Sequence, residues 1–168
     1  MAEKVTELGW MKQLLAEEEV GHLAMSDNGE PYIVPINYAY LDGRIVLHCS
    51  MTGKKLDLIR KNPNVCFAVN RHPDKVKYHA EKRCHYRYHS VIAYGKAKFV
   101  ESAQDRLTWI KRYRKYFNNR LDWQMLENDD IKSALRCGII LIDIEEMTGR
   151  REVGADGRAH EVLDKKKI

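Results

Sequence analysis

The segment with the clearest chemical potential lies between a short apolar strand pattern and a short helical pattern. It reads His48-Cys49-Ser50-Met51-Thr52-Gly53-Lys54-Lys55. Hydroxyl groups such as those of Ser50 and Thr52, free backbone N–H groups at a helix start and two lysines are groups that bind phosphate. The spacing is not that of a P-loop, because Gly-x-x-x-x-Gly-Lys is absent. The segment predicts a phosphate site, and a solvated loop with two lysines stays open as the alternative.

A second segment, Val34-Pro35-Ile36-Asn37-Tyr38, places a proline and an amide within a strand pattern. Proline removes a hydrogen-bond donor from a strand, so Pro35 predicts an edge strand or a bulge. A planar heterocycle can lie on backbone exposed in this way, with the carboxamide of Asn37 bonding to its edge. By itself, the segment favours an irregular strand in which Asn37 bonds to its own loop.

Two other clusters favour structural interpretations. The spacing of His72, His79, His85 and His89 matches no metal-ligand framework, and the basic residues of Arg71–Arg87 repel cations, so a solvated basic loop is expected. The stripe Trp109–Phe117 interleaves aromatic and basic residues, as nucleic-acid-binding surfaces do. Its apolar residues recur at helical spacing, which favours an amphipathic helix instead.

The elements that must position these segments are mostly short strands at hairpin spacing. The connections between strands are too short for crossover helices, so the sheet is expected to be antiparallel. Asn28-Gly29 and Asp42-Gly43 supply the positive φ angles of tight turns. The fold class predicted is mainly β with peripheral helices, as a six-stranded antiparallel barrel, closed or partly closed. The strands predicted are His22–Ser26, Pro31–Tyr40, Ile45–Cys49, Val65–Val69, His89–Glu101 and Gly138–Ile144, and the helices are Glu7–Glu19, Leu56–Lys61 and Ala103–Phe117.

Composition is that of one globular domain. The 168 residues are 44% hydrophobic and 32% charged, with a formal net charge of +5 that admits nucleic acid and phosphorylated ligands alike. We expect a domain over residues 1–150, including the N-terminal helix, and a polar tail over 151–168. The chain has neither a secretory h-region nor an apolar run long enough to cross a membrane, which predicts a cytoplasmic protein without a membrane partner. Four cysteines without a CxxC pair predict buried thiols and no metal site.

An ordered set of motifs carries a resemblance to a known family. The motifs are Gly21-His22-Leu23-Ala24, Pro31 to Tyr38, His48 to Lys55, Asn62-Pro63 with Val65-Cys66-Phe67, Tyr88-x-Ser90-Val91-Ile92 and Gly95-Lys96-Ala97. In this order they resemble the flavin-binding split-barrel superfamily of pyridoxamine 5′-phosphate oxidase. Within it, the chain is most similar to the nitroimidazole-resistance (Nim-type) branch. The similarity runs from about residue 21 to residue 151.

The resemblance implies a six-stranded split barrel and a homodimer with FMN in clefts between the subunits. It implies that the flavin ring lies along one strand, that a second strand end lies beside the ring and ribityl chain, and that a basic pair holds the phosphate. The matching residues are Pro35, Ile36, Asn37 and Tyr38 for the first strand, His48 and Cys49 for the strand end, and Lys54 and Lys55 for the basic pair. Ser90 matches a polar position that reaches the phosphate region, and His48 matches a position close to the reactive part of the cofactor.

The resemblance also limits the activity. The oxidase itself has an arginine in its basic pair and a characteristic pattern of C-terminal Trp and Arg residues. Here the pair is Lys54-Lys55 and the tail Val153–Ile168 does not show that pattern, so oxidation of vitamin B6 is not expected. The implied function is a flavin-dependent reductase of small electron-poor molecules, nitroimidazoles among them, with NAD(P)H as donor. One alternative is a haem-binding or haem-degrading split barrel with His48 on the iron, and some relatives bind a deazaflavin. Another is a non-enzymatic nucleic-acid-binding module that uses Arg71–Arg87 and Trp109–Phe117.

Overall fold

The computed structural model describes residues 2–71, 88–121 and 131–152. The expectations for His72, His79, His85 and the basic segment up to Arg87 lie outside these ranges, as does the tail from residue 153. In the described part of the chain there are seven strands and four helices. They are β1 (Ala2–Val5), α1 (Leu8–Glu17), β2 (Val20–Asp27), β3 (Glu30–Leu41), β4 (Arg44–Cys49), α2 (Lys54–Lys61), β5 (Asn64–Arg71), β6 (His89–Phe99), α3 (Ala103–Leu121), α4 (Ile131–Arg136) and β7 (Gly138–Glu152).

The strands form one antiparallel sheet that closes on itself. The order is β1-β7-β4-β3-β2-β5-β6, and β6 also pairs with β7 over nearly the whole length of both strands. Six strands therefore complete the barrel, which confirms the predicted six-stranded split barrel. The seventh, β1, pairs with β7 at Gly149–Glu152 and was not predicted, because its four residues carry no alternating pattern.

The barrel is incomplete beside β3. Strand β4 pairs with β3 only at Tyr38–Leu41, while β2 pairs with β3 from Glu30 to Asn37. Among the described strands, none pairs with the other side of β3 over residues 30–37. This stretch, which we call the free edge of β3, leaves backbone polar groups open to a ligand.

Two tight turns set the register of the hairpins around this edge. Asn28 and Gly29 have φ of 50° and 89°, and Asp42 and Gly43 have φ of 52° and 75°. Positive φ at both central residues matches the twist of the strands that the turn joins. The predicted Asn-Gly and Asp-Gly turns are confirmed.

The barrel interior is filled by large apolar side chains and by helix α1. Leu15 of this helix is fully buried, and its carbonyl accepts a hydrogen bond of 2.6 Å from Tyr38 Oη. Gly21 lies within β2. A Cβ there would come within 2.2 Å of the Phe67 ring, so only glycine lets the strand pass this ring.

Helices α3 and α4 cover the outside of β3, β4 and β7. Ile110, Tyr113 and Phe117 are buried on this face, which confirms that α3 is amphipathic. Arg106 anchors the helix: its guanidinium is buried and donates to the carbonyls of Ala134, Val100 and Glu101 at 2.9, 3.1 and 2.6 Å. This anchoring places Tyr113 over the end of β4. None of the described helices has both the length and the apolar character needed to cross a bilayer.

Candidate functional site

The phosphate segment forms a cationic corner at the start of α2. Gly53 has φ of 133°, a conformation that L residues rarely adopt, and its carbonyl accepts from the N–H groups of Leu56 and Asp57. Among the described residues, no side chain caps this helix, whose N-terminus favours negative charge. Lys54 is exposed with Nζ 4.7 Å from the Tyr32 ring centroid, and Lys55 is half-buried. The two cations, together with the helix start, can hold a phosphate.

The two hydroxyl groups of this segment differ in whether their protons are available to a phosphate. Ser50 Oγ donates a 2.6 Å hydrogen bond to the carbonyl of Thr52, so its proton is used within the loop. Its oxygen then offers only lone pairs, which an anionic phosphate cannot use. The side chain of Thr52 is exposed. In this conformation, Thr52 is the better hydroxyl donor to a phosphate.

His48 lies on the outer face of β4, beneath helix α3. Its ring centroid is 5.8 Å from that of Tyr113, and one side of the imidazole remains exposed. Partial burial, together with the positive charges of Arg114 and Lys55, lowers the pKa of His48 below its usual 6.5. The imidazole is therefore neutral at neutral pH and has one donor and one acceptor nitrogen. Arg114 was not predicted as a site residue, because only the packing of α3 brings it to β4.

Tyr38 and Cys49 direct their side chains into the barrel. Tyr38 is fully buried, and its ring packs edge-on against Phe67 with centroids 4.8 Å apart. Cys49 is buried opposite Gly138, and its Sγ donates weakly to the Gly138 carbonyl at 3.7 Å. Burial raises the pKa of the Cys49 thiol, so it stays protonated at neutral pH. Of these two residues, only the backbone can contact a ligand outside the barrel.

Pro35 and Asn37 lie on the free edge of β3, with exposed side chains, while Ile36 between them is half-buried. The N–H of Tyr38 donates to the Glu19 carbonyl at 3.4 Å, on the β2 side of the strand. Since neighbouring residues direct their backbone groups to opposite sides, those of Pro35 and Asn37 face the unpaired side. Pro35 therefore forfeits no ladder hydrogen bond, which confirms the edge position predicted for it.

The structure brings most of the predicted residues to one side of the barrel. The pairing of β3 with β4 ends at Tyr38 and Leu47, so Asn37 and His48 are the next residues of the two strands at the point where they separate. The corner at Lys54 meets the same edge at Tyr32, about 17 Å along β3 from Asn37. Ser90 lies on β6, three strand spacings or about 14 Å from β3, so one chain does not bring it to the lysine pair.

A cleft of about 360 Å³ adjoins Asn37 and was not predicted from the sequence. Its lining comes from the junction of α1 with β2 and from β5, namely Glu17, Glu18, Glu19, Val20, His22 and Asn70. Arg71 bonds to both Glu17 and Glu18, with Nη1 2.8 Å from Glu17 Oε2. The acidic side chains are thus partly neutralised. Within the described ranges, no group of His, Cys, Asp and Glu is arranged to hold a metal ion.

Comparison with known proteins gives one family and a consistent fold. The family model described as pyridoxamine 5′-phosphate oxidase matches residues 11–151. An uncharacterised protein of Rhizobium meliloti is 32% identical over 153 residues, covering 82% of this chain and 87% of its own. Several solved structures share the fold, including two with the following similarity to this chain. A putative 5-nitroimidazole antibiotic resistance protein from Bacteroides thetaiotaomicron has a TM-score of 0.74 at 20% identity, covering 90% of this chain and 87% of its own. An FAD and haem binding protein from Mycobacterium smegmatis has a TM-score of 0.70 at 13% identity, covering 90% and 74%.

Proposed function

The chain belongs to the pyridoxamine 5′-phosphate oxidase family, and we propose that it binds FMN along the free edge of β3 and reduces small electron-poor molecules. The observation that carries the proposal is the juxtaposition of two features. One is an unpaired strand edge with an exposed amide at Asn37, and the other is the lysine corner at the start of α2. Each feature fits one half of a flavin nucleotide.

At the phosphate end, the fit is electrostatic. Lys54, Lys55 and Thr52 donate to the phosphate, together with backbone N–H groups at the start of α2. Hydrogen bonds between charged partners contribute roughly 1.5–3 kcal/mol each, about twice the contribution of neutral pairs. The opposing carboxylate nearest in sequence, Asp57, is paired with Arg60 at 3.3 Å, one turn further along the helix.

At the ring end, the fit is one of shape and of hydrogen bonding. The backbone of Pro35 and Asn37 faces the unpaired side of β3, and neutral His48 lies where β4 separates from β3. When bound, the flavin supplies hydride and electron transfer from NAD(P)H to the substrate. The protein holds the ring and excludes water on the side of Tyr113. The charges of Lys55 and Arg114, which reach His48, favour the more negative form of whatever binds there.

We infer that a second copy of the chain covers the outer face of β3, β2, β5 and β6. This face exposes apolar side chains, with Ile33 62%, Val20 47% and Tyr94 45% exposed. Large apolar side chains gathered on one sheet face are typical of an interface. In such a homodimer, the cofactor lies between subunits, and Ser90, remote from the lysine pair within one chain, contributes from the other copy.

The likeness to a 5-nitroimidazole resistance protein supports nitro compounds as the substrate class. The first experiment is an absorption spectrum of the purified protein, with mass spectrometry of the ligand that denaturation releases. We expect flavin bands and FMN, and NAD(P)H oxidation that depends on an added nitroimidazole. A colourless protein that gains no flavin band on addition of FMN contradicts the proposal.

Haem is a second candidate ligand, because one structural neighbour is described as binding FAD and haem. Neutral His48 has a nitrogen lone pair that can ligate iron. A Soret band in the purified protein that is lost in His48→Ala supports haem. Flavin bands without a Soret band, in protein expressed with haem supplied, contradict it.

A further inference from the structure

We propose that Asn37 makes the ring end of the site specific for ligands that offer an N–H donor. The inference rests on the proposed binding of FMN and goes beyond it, because it assigns the direction of one hydrogen bond. The group concerned is Asn37 Oδ1, a hydrogen-bond acceptor that lies on the exposed side of β3. A ligand without a donor at its edge leaves this acceptor unsatisfied.

The amide of Asn37 already has a bond to the protein. Nδ2 donates to the Glu19 carbonyl at 3.5 Å, and the same carbonyl accepts from the Tyr38 N–H at 3.4 Å. A carboxamide is planar, with its oxygen and nitrogen on different branches, so Oδ1 is directed away from this carbonyl. None of the described residues donates to Oδ1, and the side chain is exposed. Oδ1 is therefore a free acceptor; the second hydrogen of Nδ2 also has no acceptor among the described residues, so Oδ1 is the group of this amide with which a ligand N–H can pair.

The residues around Glu19 keep the amide of Asn37 in this orientation. Turning the amide over would place Oδ1 against the Glu19 carbonyl, oxygen facing oxygen, and would break the Nδ2 bond. Val20, next to Glu19, pairs directly with Asn37 across β2 and β3. Arg71 bonds to Glu17 and Glu18, which fixes the preceding turn at the end of α1. The carbonyl that orients Asn37 is thus held by neighbours on both sides.

The two ends of the site then differ in the groups that they offer a ligand, because only the ring end has an acceptor. The corner at Lys54 and Lys55 offers donors, which suits an anion, and Asn37 Oδ1 offers an acceptor, which suits an N–H. A planar ring with an imide N–H, carried on a phosphate-bearing chain, satisfies both ends. The pyrimidine edge of a flavin has this N–H at N3. The rim of a porphyrin carries carboxylates and hydrocarbon groups and has no such donor.

The test compares FMN with 3-methyl-FMN, which differs in having a methyl group in place of the N3 proton. Dissociation constants of both are measured by flavin fluorescence titration for the wild type, Asn37→Ala and Thr52→Ala. We expect the wild type to bind FMN about tenfold more tightly than 3-methyl-FMN, the value of one hydrogen bond to an otherwise unpaired acceptor. In Asn37→Ala, we expect this ratio to fall close to one. Thr52→Ala is the matched control at the phosphate end, where both ligands weaken equally and the ratio stays.

The outcomes separate this inference from the proposed function. If the wild type binds neither flavin, the proposed function fails. If it binds both with equal affinity, or if Asn37→Ala keeps the wild-type ratio, the donor specificity is wrong and flavin binding stands. Asn37 is exposed, so its replacement is not expected to unfold the protein, and a melting curve with an unchanged midpoint verifies this.

Discussion

The two ends of the proposed site are assembled in different ways. The phosphate end is a continuous run from Ser50 to Lys55, shaped by one glycine and one helix start. The ring end needs Asn37 on β3, Glu19 after α1, His48 on β4 and Tyr113 on α3. The first end is local and exposed, so its variants are expected to change affinity alone. The second is continuous with the barrel core, so variants of its buried residues are expected to change stability as well, whereas variants of the exposed Asn37 are not.

The largest expected effect is the loss of FMN affinity when both lysines of the phosphate end are replaced. For Lys54→Ala with Lys55→Ala, we expect FMN affinity to fall by about two orders of magnitude or more, because two charge-assisted bonds of roughly 1.5–3 kcal/mol each are lost. Titration by flavin fluorescence measures this, and the melting temperature is expected to stay unchanged. The matched control is Lys111→Ala with Lys115→Ala, which removes two exposed lysines of α3 and leaves FMN affinity as it was. Equal affinities for the two double variants would place the phosphate elsewhere.

Tyr38→Phe tests whether the ring end depends on the core. It removes one hydroxyl and leaves the Leu15 carbonyl buried without its 2.6 Å partner. We expect the free energy of unfolding to fall by about 1–3 kcal/mol, measured by urea denaturation. Tyr32→Phe is the control, a half-buried tyrosine of the same strand without a described hydroxyl partner. A loss of stability in Tyr32→Phe as large as in Tyr38→Phe would contradict the role of the Leu15 bond.

Gly53→Ala tests whether backbone geometry matters at the local end. The φ of 133° is strained for alanine, although no atom of the described part of the chain lies within 4 Å of the added Cβ. We expect an affinity loss of about tenfold, from a strain on the order of 1–2 kcal/mol that shifts the start of α2. Gly9→Ala, without positive φ and with no described atom within 4 Å of the added Cβ, is the control for binding. Tight FMN binding by Gly53→Ala would show that the helix start does not hold the phosphate.

The smallest expected effect is a dependence of the protein's stability on pH. It belongs to the ring end, because His48 lies there. Because the pKa of His48 is lowered by folding, the unfolded chain binds its proton more readily. This contribution to stability is present above about pH 6.5 and is lost as the pH falls towards the folded pKa. The buried His89, between Arg71 and Arg151, has its pKa lowered in the same way and adds to the same trend.

The variant Arg114→Gln separates the contribution of His48, at the ring end, from that of His89. Removal of this charge is expected to raise the pKa of His48 towards 6.5, as followed by NMR titration of its imidazole protons. His89 serves as an internal reference, because Arg114 is not among the charges that act on it. A pKa of His48 that does not move would show that Arg114 lies too far from the site to act.

The contrast between a local end and an end assembled from distant elements also explains which features the sequence could predict. The short helix after Gly53, the two turns and the edge position of Pro35 depend on neighbours in the chain, and residue patterns indicated them. The inward side chains of Tyr38 and Cys49 depend on strand register, and Arg114 and the cleft beside Val20 depend on the packing of distant elements. Local patterns carry no information on these. The distance of Ser90 from the lysine pair likewise follows from the strand order β3-β2-β5-β6, which no single motif specifies.

Strand β7 has a consequence for how the protein is made. It is the last described strand, and it pairs with β4, with β6 and with β1, which stands at the opposite end of the chain. During synthesis the barrel cannot close until residue 152 has left the ribosome. Until then β4 and β6 present unpaired edges, and such edges pair readily with other chains. We therefore expect a nascent or truncated chain that ends before Gly138 to bind chaperones, and a stop codon there to yield insoluble protein.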